Sequence, residues 1–293
     1  MKLFVTGAAG YIGAHFVKAA AEAGHTITGT DYNIKQNNIK QYCEKIVEWD
    51  IRKPLGNKIL GIDKIVHIAA KTKVPNSVKD PYDYYLTNVV GTKNVIDAGN
   101  IDLLNTEPCD HFIYCSTGSA FEPQSNPYAG SKHAGELVAK QFNAKCSLVR
   151  FYNVSGNWGM YKYDDEYSHL IRRAAAVVNG KFDKLYIHGT DFNTRDGTCI
   201  RNYTHVKDIV DSLLRITEND PTNDIDCLGS PEGYSVREVI DTMANVSRSN
   251  FEVIEGPRRD GDIAISTVPT KSRYFKQEKT LEDMCIDAIK CEV

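Results

Sequence analysis

The sequence predicts an α/β fold: a doubly wound parallel sheet followed by a smaller, mixed α/β C-terminal lobe. Short apolar runs of strand length alternate with helical stretches over residues 1–151, and the first of these runs ends in a glycine-rich turn. From about Tyr152 the alternation gives way to shorter strand-like segments, longer loops and isolated helical patterns, so 152–293 reads mainly as a second lobe. Regular β and α alternation is the mark of parallel strands, which need a crossover between neighbours and bury both faces under helices.

Lys2 to Thr6 is the first strand, and Gly7-Ala8-Ala9-Gly10-Tyr11-Ile12-Gly13 leads into an amphipathic helix reaching about Gly24. In such a turn Gly7 permits the reversal, Gly10 lets backbone approach a pyrophosphate, and Gly13 lets the helix pack closely. The helix start adds unpaired N–H groups and a positive dipole end. A dinucleotide suits that geometry; a plain glycine turn is the competing account. His25 to Thr30 is the second strand and delivers Asp31, where a carboxylate accepts from an adenosine ribose and repels a 2′-phosphate. That favours NAD over NADP, although a turn residue or helix cap would also be acidic there.

Strands follow at Lys45 to Trp49 and Asp63 to Ile68, then a helical pattern from about Asp83 to Gly99, a strand at His111 to Ser116, a helix from Tyr128 to Phe142, and a sixth strand at Lys145 to Phe151. Ligands of this architecture bind at the carboxyl ends of the strands, where Asp50-Ile51, Ala69-Ala70 and Thr117 fall. In the second lobe helices are expected near Glu166 to Val178, Val206 to Ile216, Val236 to Val246 and Leu281 to Ala288. No repeat, low-complexity segment or flexible linker interrupts the chain, and parts of the later sequence are expected to return to the first domain.

Asn126-Pro127-Tyr128-Ala129-Gly130-Ser131-Lys132 is the stretch with the clearest chemistry. On a helix the i,i+4 spacing puts the Tyr128 phenol and the Lys132 ammonium on one face. A phenol titrates near ~10, and an adjacent cation lowers an acid by about 1–3 units, which would make Tyr128 a general base. Tyr203 and Lys207 repeat the spacing, so spacing alone does not decide.

Composition narrows the classes. With 293 residues, 42% hydrophobic and 25% charged, the chain can bury a large core and is not disordered. A formal net charge of -3 provides no field to recruit nucleic acid or an anionic membrane. The eight cysteines form no C-x-x-C pair and no metal-ligand spacing, so no metal is expected and the thiols read as reduced, in a cytosol. No segment reads as a signal peptide or membrane span.

These residues together resemble the extended short-chain dehydrogenase/reductases, a superfamily with a Rossmann-like sheet, and within it the UDP-glucose 4-epimerase family of nucleotide-sugar epimerases. The resemblance runs over nearly the whole chain. Its N-terminal half rests on Gly7-x-x-Gly10-Tyr11-Ile12-Gly13, Asp31, Asp50-Ile51, Val66-His67-Ile68-Ala69-Ala70, Asn88-Val89-Val90-Gly91-Thr92 and Tyr128-x-x-x-Lys132. More specific is Asp196-Gly197-Thr198-Cys199-Ile200-Arg201-Asn202-Tyr203-Thr204-His205-Val206-Lys207-Asp208, which follows the family signature with Asn202 in place of its second Asp. Tyr203 and Lys207 lie inside that signature, so their spacing is incidental. Leu228-Gly229, Gly233-Tyr234-Ser235-Val236 and Pro257-Arg258-Arg259-Asp260-Gly261-Asp262 keep the family order.

The resemblance implies an isomerase that interconverts UDP-glucose and UDP-galactose through a 4-keto sugar, with retained NAD. Tyr128 would take the proton from the 4-hydroxyl, Lys132 would depress its pKa and hold the nicotinamide ribose, and Thr117 would hydrogen-bond the reacting oxygen. Cofactor contacts are implied at Gly7, Gly10, Tyr11, Ile12, Gly13, Asp31, Asp50, Ile51, Ala69, Ala70, Lys71 and Asn88, besides Tyr128 and Lys132. Substrate contacts are implied at Thr117, Asn153, His169, Leu170, Arg201, Arg259, Asp262 and Ser266. The two arginines would grip the diphosphate, where a guanidinium fork matches phosphate oxygens, or else form surface ion pairs. A homodimer is implied through helices near Asp83 to Gly99 and Tyr128 to Phe142.

Departures from the family bear on specificity. The Thr117 to Tyr128 and Asn153 to His169 segments are short, His169-Leu170 replaces a usual Asn-Leu, and Lys71 and Lys73 straddle the position of one cofactor lysine. Ser266 occupies a gate where a bulky residue would restrict the sugar 2-substituent, so UDP-GlcNAc and UDP-GalNAc are expected substrates too. Rival functions are another NAD-dependent nucleotide-sugar enzyme (dehydratase, decarboxylase or reductase) and a non-catalytic NAD-binding scaffold. Gly118 and Ser119 stand where dehydratases carry an acidic pair, and a scaffold has no need of Thr117, Tyr128 and Lys132 together.

Overall fold

Strand β1 (Lys2–Thr6) is buried at four of its five positions, as a strand covered on both faces must be. It stops where Gly7 turns the chain through a φ of 68°, which a side chain would resist. The computed structural model describes residues 1–34, 38–55, 59, 61–100, 109–142, 145–161, 167–220, 225–229, 231–259, 262–270 and 272–291. Glu166, Asp260 and Gly261 lie outside them.

After β1 come α1 (Tyr11–Glu22), β2 (Thr26–Asp31), β3 (Lys45–Glu48), β4 (Lys64–His67) and α2 (Val74–Lys79). Next, α3 (Pro81–Tyr85) runs through a wider π turn at Leu86–Val90 into α4 (Gly91–Asn100). Then β5 (His111–Thr117), α5 (Pro127–Ala139) and β6 (Lys145–Phe151) follow. The rest supplies β7 (Asn153–Ser155), α6 (Leu170–Val178), β8 (Lys184–His188), β9 (Ile200–Arg201), β10 (Tyr203–His205), α7 (Val206–Glu218) and β11 (Asp226–Leu228). Last are β12 (Tyr234–Ser235), α8 (Val236–Ser247), β13 (Glu252–Gly256), β14 (Ile265–Ser266) and α9 (Leu281–Cys291).

Among the described residues the main sheet has seven strands in the order β11-β6-β5-β4-β1-β2-β3. From β3 to β6 each neighbouring pair is parallel. The chain winds outward from β1 through β2 to β3, returns to β4 on the other side of β1, and winds on to β6. That reversal makes the carboxyl ends of β1 and β4 the switch point, where the crevice of a doubly wound sheet opens. The α/β class with a Rossmann-like parallel sheet is thus the observed architecture.

The Asp83 to Gly99 pattern is not one uniform helix: it starts at Pro81 and carries the π turn around Asn88. Helix α2 was not anticipated, because it buries only Ser77 and so shows no apolar stripe. α5 begins at Pro127, where the Asn126 side chain accepts the Ala129 N–H at 2.9 Å and proline takes a position needing no donor.

The chain divides into two compact units, Met1–Phe151 with Val210–Asp226, and Tyr152–Ile209 with Cys227–Val293. The first is built on a core including Phe4, Trp49, Ile65, Phe112, Phe142 and Leu148, each worth about 1.5–3 kcal/mol of burial for the larger side chains. The second has its own core, including Ile171, Ile187, Tyr203, Val239, Met243 and Met284. Its strands pair in short sets: β8 with β13, β7 with β10, and β9 between β12 and β14. Among the described residues no helix is long and apolar enough to cross a membrane.

Candidate active site

In the first unit, strand β5 and helix α5 bring Thr117, Tyr128 and Lys132 together. Thr117 ends β5, where its Oγ accepts the Ser119 N–H at 3.3 Å, and its side chain also hydrogen-bonds the Tyr128 phenol. Behind Tyr128 the ring of buried Tyr84 stands edge-on with centroids 6.5 Å apart, itself fixed by donating from its hydroxyl to the Lys73 carbonyl at 2.6 Å. Buried Lys132 donates from Nζ to the Cys115 carbonyl at 2.7 Å and lies over the Tyr114 ring, 4.3 Å from its centroid.

The electrostatics correct one expectation. Tyr128 is not drawn down by Lys132: its side chain keeps some open surface, but desolvation of the hydroxyl pushes it up to about 12, opposed by the Thr117 hydrogen bond and aided by Tyr84. Lys132 in turn is pulled down to about 8 by burial, against the opposing influence of Cys115 and Glu136. Helical spacing put the two groups on one face, yet the ammonium follows the strand carbonyl instead of the phenol.

The glycine turn suits a dinucleotide. A Cβ on Gly7 would lie 2.7 Å from the Ala69 nitrogen, so the loops leaving β1 and β4 touch. Helix α1 has Gly10 as its N-cap without a side-chain cap bond, and no acidic residue in its first turn, leaving its positive end to meet an anion. Asp31 accepts from the Ala9 N–H at 3.1 Å, and burial raises its carboxyl while the loop N–H groups oppose that rise. Backbone donors for a pyrophosphate and a carboxylate for a ribose are the donor set that NAD requires, so the residues fit it.

Other predicted cofactor residues are differently engaged. Both oxygens of Asp50 take the Arg52 guanidinium, at 2.7–3.0 Å, which holds the carboxyl below its usual range. Lys71 pairs through its ammonium with Asp83, which Arg52 also reaches at 2.9 Å. Asn88, 1% exposed, accepts the Lys71 N–H at 2.8 Å and donates to the Lys71 carbonyl and the Ser131 hydroxyl. This amide fastens the Lys71 loop to α5. Ile51 is buried against Gly91, and Tyr11 packs edge-on to His15.

Sequence reasoning passed over His67 in this role. The ring bridges Thr6 at 2.7 Å and Thr92 at 3.0 Å, while Thr6 accepts the Ala69 N–H and Thr92 donates to the Asn88 carbonyl. Burial holds the imidazole down to about 3, so a neutral relay fixes the ends of β1 and β4. Its place in Val66-His67-Ile68-Ala69-Ala70 was the available signal.

In the second unit the predicted substrate residues form a cluster of their own. Asp262 stands beside Arg201 at 3.6 Å and Arg259 at 3.1 Å, so one carboxylate holds both guanidinium groups. Ser266 pairs in register with Arg201 across β14 and β9, and its carbonyl accepts the Asn202 N–H at 3.1 Å. Asn153 sits on β7 with its amide donating to the Asn202 carbonyl at 3.0 Å. His169 caps α6 without a side-chain cap bond, and Leu170 begins the helix.

Comparison with known proteins agrees with this architecture. The UDP-glucose 4-epimerase of Azospirillum brasilense is 30% identical over 290 residues, covering 89% of this chain and 82% of the relative. The UDP-Glc/GlcNAc 4-epimerase of Campylobacter jejuni superposes with a TM-score of 0.80 at 31% identity, over 99% of this chain and 98% of that one. The UDP-glucose 4-epimerase of Stenotrophomonas maltophila, solved with bound NAD and formylated UDP-arabinopyranose, has a TM-score of 0.85 at 25% identity, over 100% and 98% of the two chains. With residues 3–227 matching throughout the dinucleotide turn, the switch point and the Thr117-Tyr128-Lys132 group, this chain belongs to the NAD dependent epimerase/dehydratase family.

Proposed function

We propose that this chain is an NAD-dependent UDP-sugar 4-epimerase, an isomerase that interconverts UDP-glucose and UDP-galactose. The observation that carries the proposal is the Thr117 hydroxyl bonded to the Tyr128 phenol, with buried Lys132 one turn further along α5. Gly7, Gly10, Tyr11, Ile12, Gly13 and Asp31 would hold NAD, which would supply the reversible hydride chemistry at the sugar C4. Tyr128 takes the 4-hydroxyl proton and returns it, and the Thr117 hydrogen bond stabilises the phenolate that this requires. Arg201 and Arg259 hold the diphosphate, Asp262 moves from them to the uridine ribose, and Asn153, His169 and Leu170 border the sugar and uracil. The first unit thus serves the cofactor and the second the nucleotide sugar. Gly118 and Ser119, following Thr117, place no acid there for elimination, which disfavours a dehydratase.

Proton NMR of the purified chain with UDP-glucose and UDP-GlcNAc together, without added NAD, tests this. Galacto anomeric signals are expected; silence that persists after NAD is added would refute epimerisation of either sugar.

Ser266 further supports acceptance of N-acetylated sugars, an activity named for the Campylobacter jejuni neighbour. Ser266 is a small side chain in register with Arg201, one of the proposed diphosphate ligands. Ser266→Tyr is expected to lower kcat/KM for UDP-GlcNAc by about 10–100-fold while sparing UDP-glucose, the scale of a steric pocket change. Equal losses on both sugars would remove the gate assignment.

The chain acts as a homodimer in the cytosol, in this proposal. Tyr82 and Tyr85 on α3, Val90 in the π turn and Leu137 on α5 are exposed apolar side chains on helices packed against one another. Light scattering is expected to give twice the chain mass, and a monomer at micromolar concentration would count against the dimer. None of the eight cysteines is held in a disulfide, which suits a reducing compartment.

A further inference from the structure

Glu136 lies on α5 four residues after Lys132 and eight after Tyr128, on the same helical face. It is 3% exposed, and its oxygens accept from the Ser116 hydroxyl at 2.6 Å and from Arg150 Nε at 2.8 Å and Nη2 at 2.6 Å. Arg150 is also 3% exposed and pairs with Ser116 in the β5–β6 register. Ser116 immediately precedes Thr117. Three consecutive β5 residues are therefore fastened to α5 by three side chains: Cys115 by Lys132, Ser116 by Glu136 and Thr117 by Tyr128. Stability alone gives little reason for this arrangement, since an apolar pair of similar volume does as well as a buried ion pair or better.

We propose that Glu136 is a positioning residue for the reaction: through Ser116 it sets the strand end carrying Thr117 against the helix carrying Tyr128 and Lys132. The inference rests on the epimerase reading and names how its site is held. Glu136 also acts electrostatically. Lys132 faces Cys115 and Tyr114 from β5, His67 from β4, and Glu136 from its own helix. His67 is neutral, so Glu136 is the carboxylate in this set that favours the ammonium form against burial.

The experiment uses Ser116→Ala, Glu136→Gln and the pair Glu136→Gln with Arg150→Met in the full chain. Melting temperature, kcat and KM for UDP-glucose, and the pH profile are measured, with Tyr128→Phe run alongside. Ser116→Ala removes only the strut and is expected to lower kcat by about tenfold to a hundredfold, the cost of a misplacement near one ångström, with KM within about twofold and the profile unmoved. Glu136→Gln is expected to lower kcat similarly and to move the alkaline limb to lower pH, as Lys132 loses its carboxylate. Arg150→Met then relieves the unpaired guanidinium and restores the melting temperature but not kcat. Folded Ser116→Ala and paired variants with wild-type kcat and an unmoved alkaline limb would overturn the proposal. If Tyr128→Phe is inert in that event, only the role of Glu136 falls; if Tyr128→Phe is active, the assignment of Tyr128 as base falls with it, whereas the epimerase reading itself falls only if the unmodified chain turns over no UDP-glucose.

Discussion

Tyr128→Phe is expected to lose epimerisation by about 10²–10⁴-fold, the contribution of a positioned acid or base, while the chain stays folded and keeps NAD. The substitution removes one oxygen. The ring keeps its edge contact with Tyr84, and Thr117 still accepts the Ser119 N–H, so the structural loss is one hydrogen bond, about 0.5–1.5 kcal/mol. Nothing in the Gly7–Gly13 turn is touched, so cofactor retention is unchanged. Because burial pushes the phenol up to about 12, it is protonated near neutrality and its loss of a proton limits the wild type at low pH. The wild-type rate should therefore rise with pH over the acidic range, whereas any residual Tyr128→Phe rate should be flat there. An anomeric-proton time course reads both, and a full rate in the variant would remove Tyr128 from the proposed role of base.

That site was legible in part for a plain reason. Asn126 followed by Pro127 marks a helix start, and the Tyr128–Lys132 spacing follows from helical geometry, so local sequence was enough to put both on one face. The direction of Lys132 was not legible, because its acceptor, the Cys115 carbonyl, lies on another element and becomes a neighbour only when α5 packs on β5. Glu136 continued the same spacing, but a charged residue four positions on usually marks a solvated face, and only packing shows that it is enclosed with Arg150. The structural part of Asn88 was not legible either: from the π turn its amide reaches Lys71 and Ser131, neighbours that the local motif does not announce. Arg201 and Arg259 were read together on a diphosphate and Asp262 apart from them, and the sharing of the one Asp262 carboxylate by both arginines is a tertiary fact. The parallel sheet was the most legible level, since buried strands announce themselves as apolar runs whatever their neighbours.

Gly13→Ala is expected to abolish NAD retention and to lower stability by about 1–3 kcal/mol or more, the cost of overpacking against atoms that cannot yield. A Cβ at Gly13 would overlap the Gly7 carbonyl oxygen and lie 2.8 Å from its carbon and 3.1 Å from the Ala8 Cα. All three are backbone atoms of one turn. Gly7 cannot retreat, because its φ is 68°, its oxygen accepts the Gly10 N–H at 3.0 Å, and Ala69 lies close behind it. Relief must come from α1, whose start then moves off the loop and takes the proposed pyrophosphate donors with it. Gly24 supplies the control. Its φ is 86° and a Cβ there meets nothing within 4 Å, so Gly24→Ala costs only left-handed strain of about 1–2 kcal/mol and should leave NAD bound. The absorbance of the purified variants reads the cofactor, and thermal melting reads the fold. A Gly13→Ala chain that melts and binds NAD like the wild type would mean that α1 can slide along the sheet without opening the turn, and that contact between Gly13 and Gly7 is not what holds the cradle in shape.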